Sequence, residues 1–245
     1  MVLEYIQKSW EVYKENAMSF ILAELIILIV AGIIALIGIG IIFGSVGIST
    51  LMKMTSSQNM LSRMASVVPL LVNLSVASIF FIITGLVWTF LKTGIYGMAA
   101  QALRGKTKVE TMFNVAKNKG LTGILACVIV GILALLMFSI LVVGLGIIFP
   151  LSGVIIGMII FGLLMMLFSL IFPGVILDNL NAINSIKVSV SIVKKNYIEM
   201  LSLLLVYLVL SIVIIFIPIL GPLIVNFVVS PMLYISLLIF YKKRK

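Results

Sequence analysis

One carboxylate, Glu24, lies well inside an apolar run, and its type and position make it the first candidate for chemistry. At about 1.5 Å per helical residue it lies only about 10 Å from the nearer end of that run. An ionisable group at that depth is a candidate proton or cation site, and Lys92, near the end of the next apolar run, is a candidate partner. The alternative is a protonated or snorkelling glutamate within a helical bundle.

Two asparagines occupy matching positions in other apolar runs. The segments Pro69 to Asn73 and Pro222 to Asn226 share the order Pro-Leu, two aliphatic residues and Asn. Each asparagine therefore lies one turn inside a helix that starts with proline. Together they predict either an intramembrane polar site or hydrogen bonds that hold helices together.

Other kinds of site have little support. The chain has no histidine and a single cysteine, Cys127, so an internal disulfide and the usual Cys/His zinc site are excluded. Histidine acid/base catalysis is excluded as well. Asp178 and Glu199 are a weak pair of carboxylates for an enzyme acting on lipid headgroups. We expect no catalytic residues, no metal and no cofactor.

The elements that position these residues follow from composition. Of the 245 residues, 63% are apolar and only 10% are charged, which leaves too little polar surface for a water-soluble globule. Several uncharged runs reach the roughly 20 residues that cross a bilayer. The predicted spans are 17–43, 67–91, 121–149, 151–177, 198–220 and 222–241. The sequence predicts an all-α, polytopic membrane bundle of six transmembrane helices.

Basic residues are distributed unevenly between the predicted loops. Of the 17 lysines and arginines, 15 lie before the first span, between the second and third spans, between the fourth and fifth, or after the sixth. The other two are Lys53 and Arg63. Basic loops stay in the cytoplasm, so we expect a multi-pass protein of the cell membrane with both termini cytoplasmic. The net charge of +10 then favours anionic headgroups, and no nucleic-acid partner is expected.

The chain also contains an internal repeat. Each even-numbered span begins with Pro-Leu, and each odd-numbered span follows an amphipathic segment that ends in lysine and asparagine. We predict one integral membrane domain, 1–245, of three tandem repeats, 1–92, 93–178 and 179–245, each with a cytoplasmic amphipathic helix. The repeats enter the membrane in the same direction, which disfavours the inverted arrangement of many transporters. Pro173 and Pro231 predict kinks within their spans.

The amphipathic segments carry the second set of candidate residues. Their apolar faces suit the membrane interface and their lysines suit lipid headgroups. The candidate headgroup ligands are four lysines, called here the interfacial lysines: Lys106, Lys117, Lys194 and Lys195. The alternative is that these segments are only surface elbows between spans.

Several short motifs resemble a known family. They are Tyr13 to Asn16, Gly97 to Ala100, Gly105-Lys106, Pro173-Gly174 and Ser185 to Asn196. In these motifs the chain resembles a broad group of uncharacterised six-helix membrane proteins, common in archaea. That group is related to the membrane domain fused to some bacterial glycerophosphodiester phosphodiesterases. The resemblance implies a multi-pass module without an established activity and supplies no catalytic residues, so phosphodiesterase activity is not expected here.

Three functions remain open at this point. The first is a non-enzymatic module that organises or senses anionic lipids or partner proteins, with a protein partner or a second copy of the chain as further candidates. The second is a channel or transporter for a small solute or ion, which would use Glu24, Asn73 and Asn226. The third is a lipid-headgroup enzyme. Neutralising the interfacial lysines, replacing Glu24, and assaying headgroup turnover distinguish the three.

Overall fold

The computed structural model describes residues 2–42 and 60–245, and the side chains of 2–40 and 78–245. Among these residues, six helical segments are long and apolar enough to cross a membrane. They are Val2–Gly40, Ser78–Ala102, Val109–Ile148, Pro150–Leu177, Tyr197–Ile215 and Leu220–Arg244. The predicted number of spans is confirmed, and the chain is a multi-pass α-helical membrane protein.

The described backbone is helical almost throughout and contains no β-strand. A bilayer offers no water to backbone polar groups, so an apolar chain satisfies them within helices. The helices are α1 (Val2–Ile42), α2 (Met60–Ala102), α3 (Val109–Phe138), α4 (Pro150–Met165), α5 (Ile171–Leu177), α6 (Ala182–Lys195), α7 (Tyr197–Ile215), α8 (Leu220–Ile224) and α9 (Ser230–Arg244). Large aliphatic side chains remain exposed along them, among them Ile140 at 70% and Leu151 at 76%, as expected where the solvent is lipid.

The amphipathic segments differ from one another in a way that the sequence does not predict. The first is continuous with its span in α1, and the second is continuous with its span in α3. Only the third is a separate helix, α6, which ends where Asn196 leaves helical geometry at φ −122° and ψ 35°. Lysine and asparagine at the entry to a span are therefore compatible with either a continuous helix or a break.

Tight hairpins join the later spans. Phe149, at φ −130° and ψ 88°, separates the end of the third span from α4, where Pro150 occupies the first turn. A Cβ atom on Gly153 would lie 2.1 Å from the Leu145 carbonyl oxygen, and one on Gly157 would lie 2.2 Å from that of Leu141. The two glycines thus allow the backbones to pack directly against each other.

Both predicted kinks coincide with irregular helix. A 3₁₀ turn, Met166–Phe168, precedes α5 and its Pro173, and a π-helical turn, Val225–Val229, precedes Pro231 in α9. Proline has no N–H, so Pro231 cannot bond the carbonyl of Phe227 one turn earlier. The hydroxyl of Tyr13 donates to that carbonyl at 2.9 Å. A hydroxyl from α1 therefore bonds the carbonyl that Pro231 cannot bond.

The chain divides into two compact units. The main unit comprises Met1–Glu24 and Thr89–Lys245, and the small unit is Leu25–Trp88. One core cluster of the main unit joins α3, α5 and α6 through Ala126, Val130, Ile171, Val175 and Ala182. In the small unit, a Cβ atom on Gly38 would lie 2.8 Å from that of Phe80, so α1 and α2 are in close contact there.

Candidate functional site

A buried ion pair lies in the main unit. The ammonium group of Lys92 on α2 donates to both carboxylate oxygens of Glu24 on α1, at 2.8 and 3.1 Å. The Glu24 side chain is 3% exposed and that of Lys92 is 10% exposed. The structure therefore brings together the two ionisable residues that the sequence indicates as partners.

An aromatic group completes this cluster. The Lys92 ammonium donates to the hydroxyl oxygen of Tyr234 on α9 at 2.6 Å and lies 4.8 Å from the centroid of its ring. The Tyr234 ring packs against Tyr96, which stacks on Phe172 with the ring centroids 4.9 Å apart. Cation–π contact and hydrogen bonding together stabilise a buried ammonium group. The sequence analysis missed Tyr234, because one tyrosine in an apolar helix carries no distinguishing pattern.

The ion pair connects helices that are distant in sequence. Both oxygens of Glu24 accept from the same ammonium, so Lys92 compensates the carboxylate charge directly. Removing one member of a buried pair leaves an uncompensated charge, which is costly. The cluster thus links α1, α2 and α9 through one charged contact.

The two asparagines do not form a described site. Asn226 is half-buried, and its amide donates to the carbonyl of Pro222 in its own helix at 2.9 Å. That bond lies within its own helical turn and does not join a second helix. Asn73 lies outside the residues whose side chains are described.

The interfacial lysines are exposed. Lys106 lies in the loop between α2 and α3, Lys117 on α3, and Lys194 and Lys195 at the end of α6. Over the described part of the chain, none of the four has a hydrogen-bond or ion-pair partner. Each is therefore available to an external anion.

Contacts between the spans bring the segments that carry these lysines to one end of the main unit. The amide oxygen of Asn16 on α1 accepts from the backbone N–H of Thr107 at 2.8 Å, and Ser19 donates to the Thr107 carbonyl at 2.9 Å. The Lys119 ammonium on α3 donates to the carbonyls of Val175 and Ile176, at 3.3 and 2.9 Å, at the end of α5. A lysine there satisfies carbonyls that the helix end leaves free.

The last three residues reach this same end, where each forms an ion pair. Lys243 pairs with Glu4 at 2.9 Å, Arg244 with Glu199 at 2.6 Å, and Lys245 with Asp178 at 2.8 Å. The three carboxylates come from α1, the start of α7 and the segment after α5. The basic end of α9 thus joins distant segments of the chain. The sequence analysis missed these pairs because nothing in the spacing of the acids links them to α9.

Asp178 and Glu199, the weak enzymatic candidates, are both held by neighbours. The hydroxyl of Tyr241 donates to Asp178, and that of Tyr5 donates to Glu199 at 3.1 Å. Burial alone would raise the pKa of the Asp178 carboxyl, but hydrogen bonds from Lys245 and Tyr241 outweigh burial and hold this pKa below its usual range. Both carboxylates act as anchors for α9 in this arrangement.

Buried hydroxyl groups lie beneath the ion pairs. The hydroxyls of Ser9 and Tyr207 are 3.0 Å apart, and those of Tyr207 and Ser236 are 2.8 Å apart. Ser236 also donates to the carbonyl of Tyr5 at 3.3 Å. The network connects α1, α7 and α9, and it satisfies the three hydroxyl groups that are buried at this interface.

No group of three or more His, Cys, Asp or Glu residues that could hold a metal ion occurs among the residues described.

No curated protein and no solved structure matches the chain. Residues 58–239 match the model of a domain of unknown function, DUF7847. Since this match covers well over half of the chain, the protein belongs to the DUF7847 family.

Proposed function

We propose that this protein is a non-enzymatic membrane module that binds anionic lipid headgroups through the interfacial lysines on the cytoplasmic side. The observation that carries the proposal is that Lys106, Lys117, Lys194 and Lys195 are exposed and have no acidic partner in the described structure, whereas the last three basic residues of α9, at the same end, are each paired. Each lysine near an anionic surface contributes about 1 kcal/mol of attraction.

The cytoplasmic placement rests on the distribution of charge. The paired basic residues of α9, the loop before α3 and the end of α6 belong to the same end of the main unit. Positive residues flanking spans are retained in the cytoplasm, so this end, with both termini, faces the cytoplasm.

We further infer that the chain consists of three repeats that enter the membrane in the same direction. Support comes from burial, because α1, α3 and the pair α6–α7 bury residues at identical intervals along the chain. The corresponding buried residues are Ser9, Tyr13, Phe20 and Ala23; Met112, Ala116, Gly123 and Ala126; and Ser189, Val193, Met200 and Leu203. In addition, the amides of Asn16 and Asn196 both donate to the carbonyl four residues earlier, each at 3.0 Å. Parallel repeats bring three similar helix entries, with their lysines, to one membrane face.

A non-catalytic role is supported by the state of the carboxylates. Glu24, Asp178 and Glu199 each accept hydrogen bonds from a cation or a hydroxyl group. A general base needs a carboxylate that can reach a substrate proton. In the main unit these three are instead used in contacts between helices.

Native mass spectrometry of the protein released from its own membrane tests the proposal. We expect retained anionic lipid, and we expect fewer lipid molecules to be retained when the four interfacial lysines are replaced by glutamine. The matched control replaces four other exposed basic residues at the same end by glutamine, which are Lys14, Arg104, Lys108 and Lys187. If both variants lose the same amount of bound lipid, net charge alone explains lipid binding. That result would contradict the assignment of the headgroup site to the interfacial lysines. A protein that retains no lipid would also contradict it.

A further inference from the structure

A cleft lies where the two termini of the main unit meet. It has a volume of about 310 Å³ and is lined by residues of α1, α9 and the start of the loop after α2. Its lining residues are Glu4, Tyr5, Lys8, Leu103, Ile239, Lys242 and Lys243. None of its lysines belongs to the interfacial lysines.

The charges in this cleft do not cancel. Lys243 pairs with Glu4 at 2.9 Å and lies over the ring of Tyr5, 5.2 Å from its centroid. Lys8 and Lys242 are exposed, and neither has a hydrogen-bond or ion-pair partner within the ranges that the structure describes. The lining therefore carries three cations and one carboxylate, which leaves an excess of positive charge.

Lys242 differs from its basic neighbours because it has no ion-pair partner in the described structure. It is one of four consecutive basic residues at the end of α9, and the other three each pair with a different carboxylate. Those three pairs hold the end of α9 against α1, α7 and the segment after α5. Lys242 thereby lines the same cleft as Lys8 from a helix end that three ion pairs hold in place.

The cleft also has an apolar wall. Leu103 and Ile239 contribute apolar side chains to its lining, and Tyr5, which is only 1% exposed, adds an aromatic ring. A small inorganic anion uses only the lysines. A phospholipid uses both kinds of surface, with its phosphate at the lysines and its glycerol and first methylene groups against the apolar residues.

We propose that this terminal cleft binds a phosphate group through Lys8 and Lys242, and that the phosphate belongs to a membrane phospholipid. The ammonium groups supply charge-assisted hydrogen bonds to the phosphate oxygens. The site is separate from the interfacial lysines, so it does not depend on the function proposed above. A soluble phosphate source shares the same chemistry, and the experiment separates the two.

The test uses the full chain purified in detergent, titrated with short-chain phosphatidylglycerol and followed by native mass spectrometry. The variant Lys8→Gln/Lys242→Gln is compared with Lys108→Gln/Lys187→Gln, which removes the same charge from two exposed lysines outside the cleft. We expect the first variant to lose affinity by about tenfold and the second to remain close to the parent protein. Lys8→Arg/Lys242→Arg, which keeps both charges, should retain binding and serves as a check on folding.

A parallel titration with inorganic phosphate shows whether the bound phosphate group belongs to a phospholipid or to a soluble compound. Phosphatidylglycerol binding that phosphate does not displace supports a lipid ligand. Binding of inorganic phosphate at the same lysines, with no preference for the lipid, overturns the lipid assignment. Equal losses in the two glutamine variants, or none in either, overturn the site itself. A loss confined to the interfacial-lysine variant would leave the function proposed above standing and reject this cleft.

Discussion

Lys92 and Glu24 form a bidentate ion pair within the membrane-spanning part of the protein, with the lysine Nζ 2.8 and 3.1 Å from the two carboxylate oxygens. The pair joins α1 to α2, and the hydroxyl and ring of Tyr234 extend it to α9. Since both charges are buried, each stabilises the bundle only while the other is present.

A double-mutant cycle on this pair should show strong coupling. Glu24→Leu and Lys92→Met should each destabilise the protein by about 3–5 kcal/mol, because each leaves the partner's charge buried alone. The double variant should cost much less than the sum. Unfolding midpoints in detergent measure all three, with Glu15→Gln at an exposed position of α1 as the control. Additive losses would show that the two residues act independently.

Gly157 and Gly162 on α4 provide a matched pair for testing backbone packing. A Cβ atom on Gly157 would lie 2.2 Å from the Leu141 carbonyl oxygen, whereas nothing lies within 4 Å of one on Gly162. Gly157→Ala should therefore destabilise the protein by about 1–3 kcal/mol. Gly162→Ala should leave it unchanged or slightly more stable, because alanine favours helix. Equal midpoints for the two variants would contradict the close packing of the hairpin.

The helical spans could be predicted because hydrophobic length is a local property of the sequence. The Glu24 partnership was predictable for a related reason, since few ionisable residues lie within the spans. The break at Asn196 could not be predicted, because Asn16 has the same local hydrogen bond and remains within a continuous helix.

Contacts made by α9 show where sequence reasoning stops. Its basic end predicts a cytoplasmic terminus, but the acids that it pairs with lie in three distant segments. Tyr234 and Tyr13 act through hydroxyl groups whose partners depend on how helices pack. Such pairings need three-dimensional neighbours, which neither periodicity nor charge counting supplies.

Asp178 should make stability depend on pH. Its pKa is lower in the folded protein than in the unfolded chain, so its contribution is present above about pH 4 and is lost as the pH falls through the folded value. The parent protein should therefore be more stable than Asp178→Asn at neutral pH, and the difference should shrink in acid. Unfolding midpoints across this range measure it. Tyr241→Phe, which removes one donor, should reduce the difference, and a pH-independent gap would contradict the ion-pair account.

The orientation of the chain can be tested with single cysteines in a Cys127→Ala background. Lys106→Cys and Lys194→Cys should react with a membrane-impermeant maleimide only after cells are permeabilised, because basic ends stay in the cytoplasm. Lys53→Cys, in the segment predicted to lie outside, should react in intact cells. Labelling in the reverse pattern would invert the topology and place the interfacial lysines on the outer face.

The Tyr13 hydroxyl should matter only because residue 231 is proline. Tyr13→Phe leaves the Phe227 carbonyl without its donor at 2.9 Å, which should cost about 1–3 kcal/mol. In a Pro231→Ala background the alanine N–H can bond that carbonyl, so the same substitution should cost much less.

Tyr197→Phe is the control for this cycle, because its hydroxyl donates to the Leu163 carbonyl at 3.1 Å, away from the proline. Its cost should be the same in both backgrounds. Unfolding midpoints of the six proteins separate a specific rescue from a general effect of removing the kink. If Pro231→Ala lowers the loss of stability equally for both tyrosine substitutions, the hydrogen bond from Tyr13 to the Phe227 carbonyl does not compensate specifically for the proline.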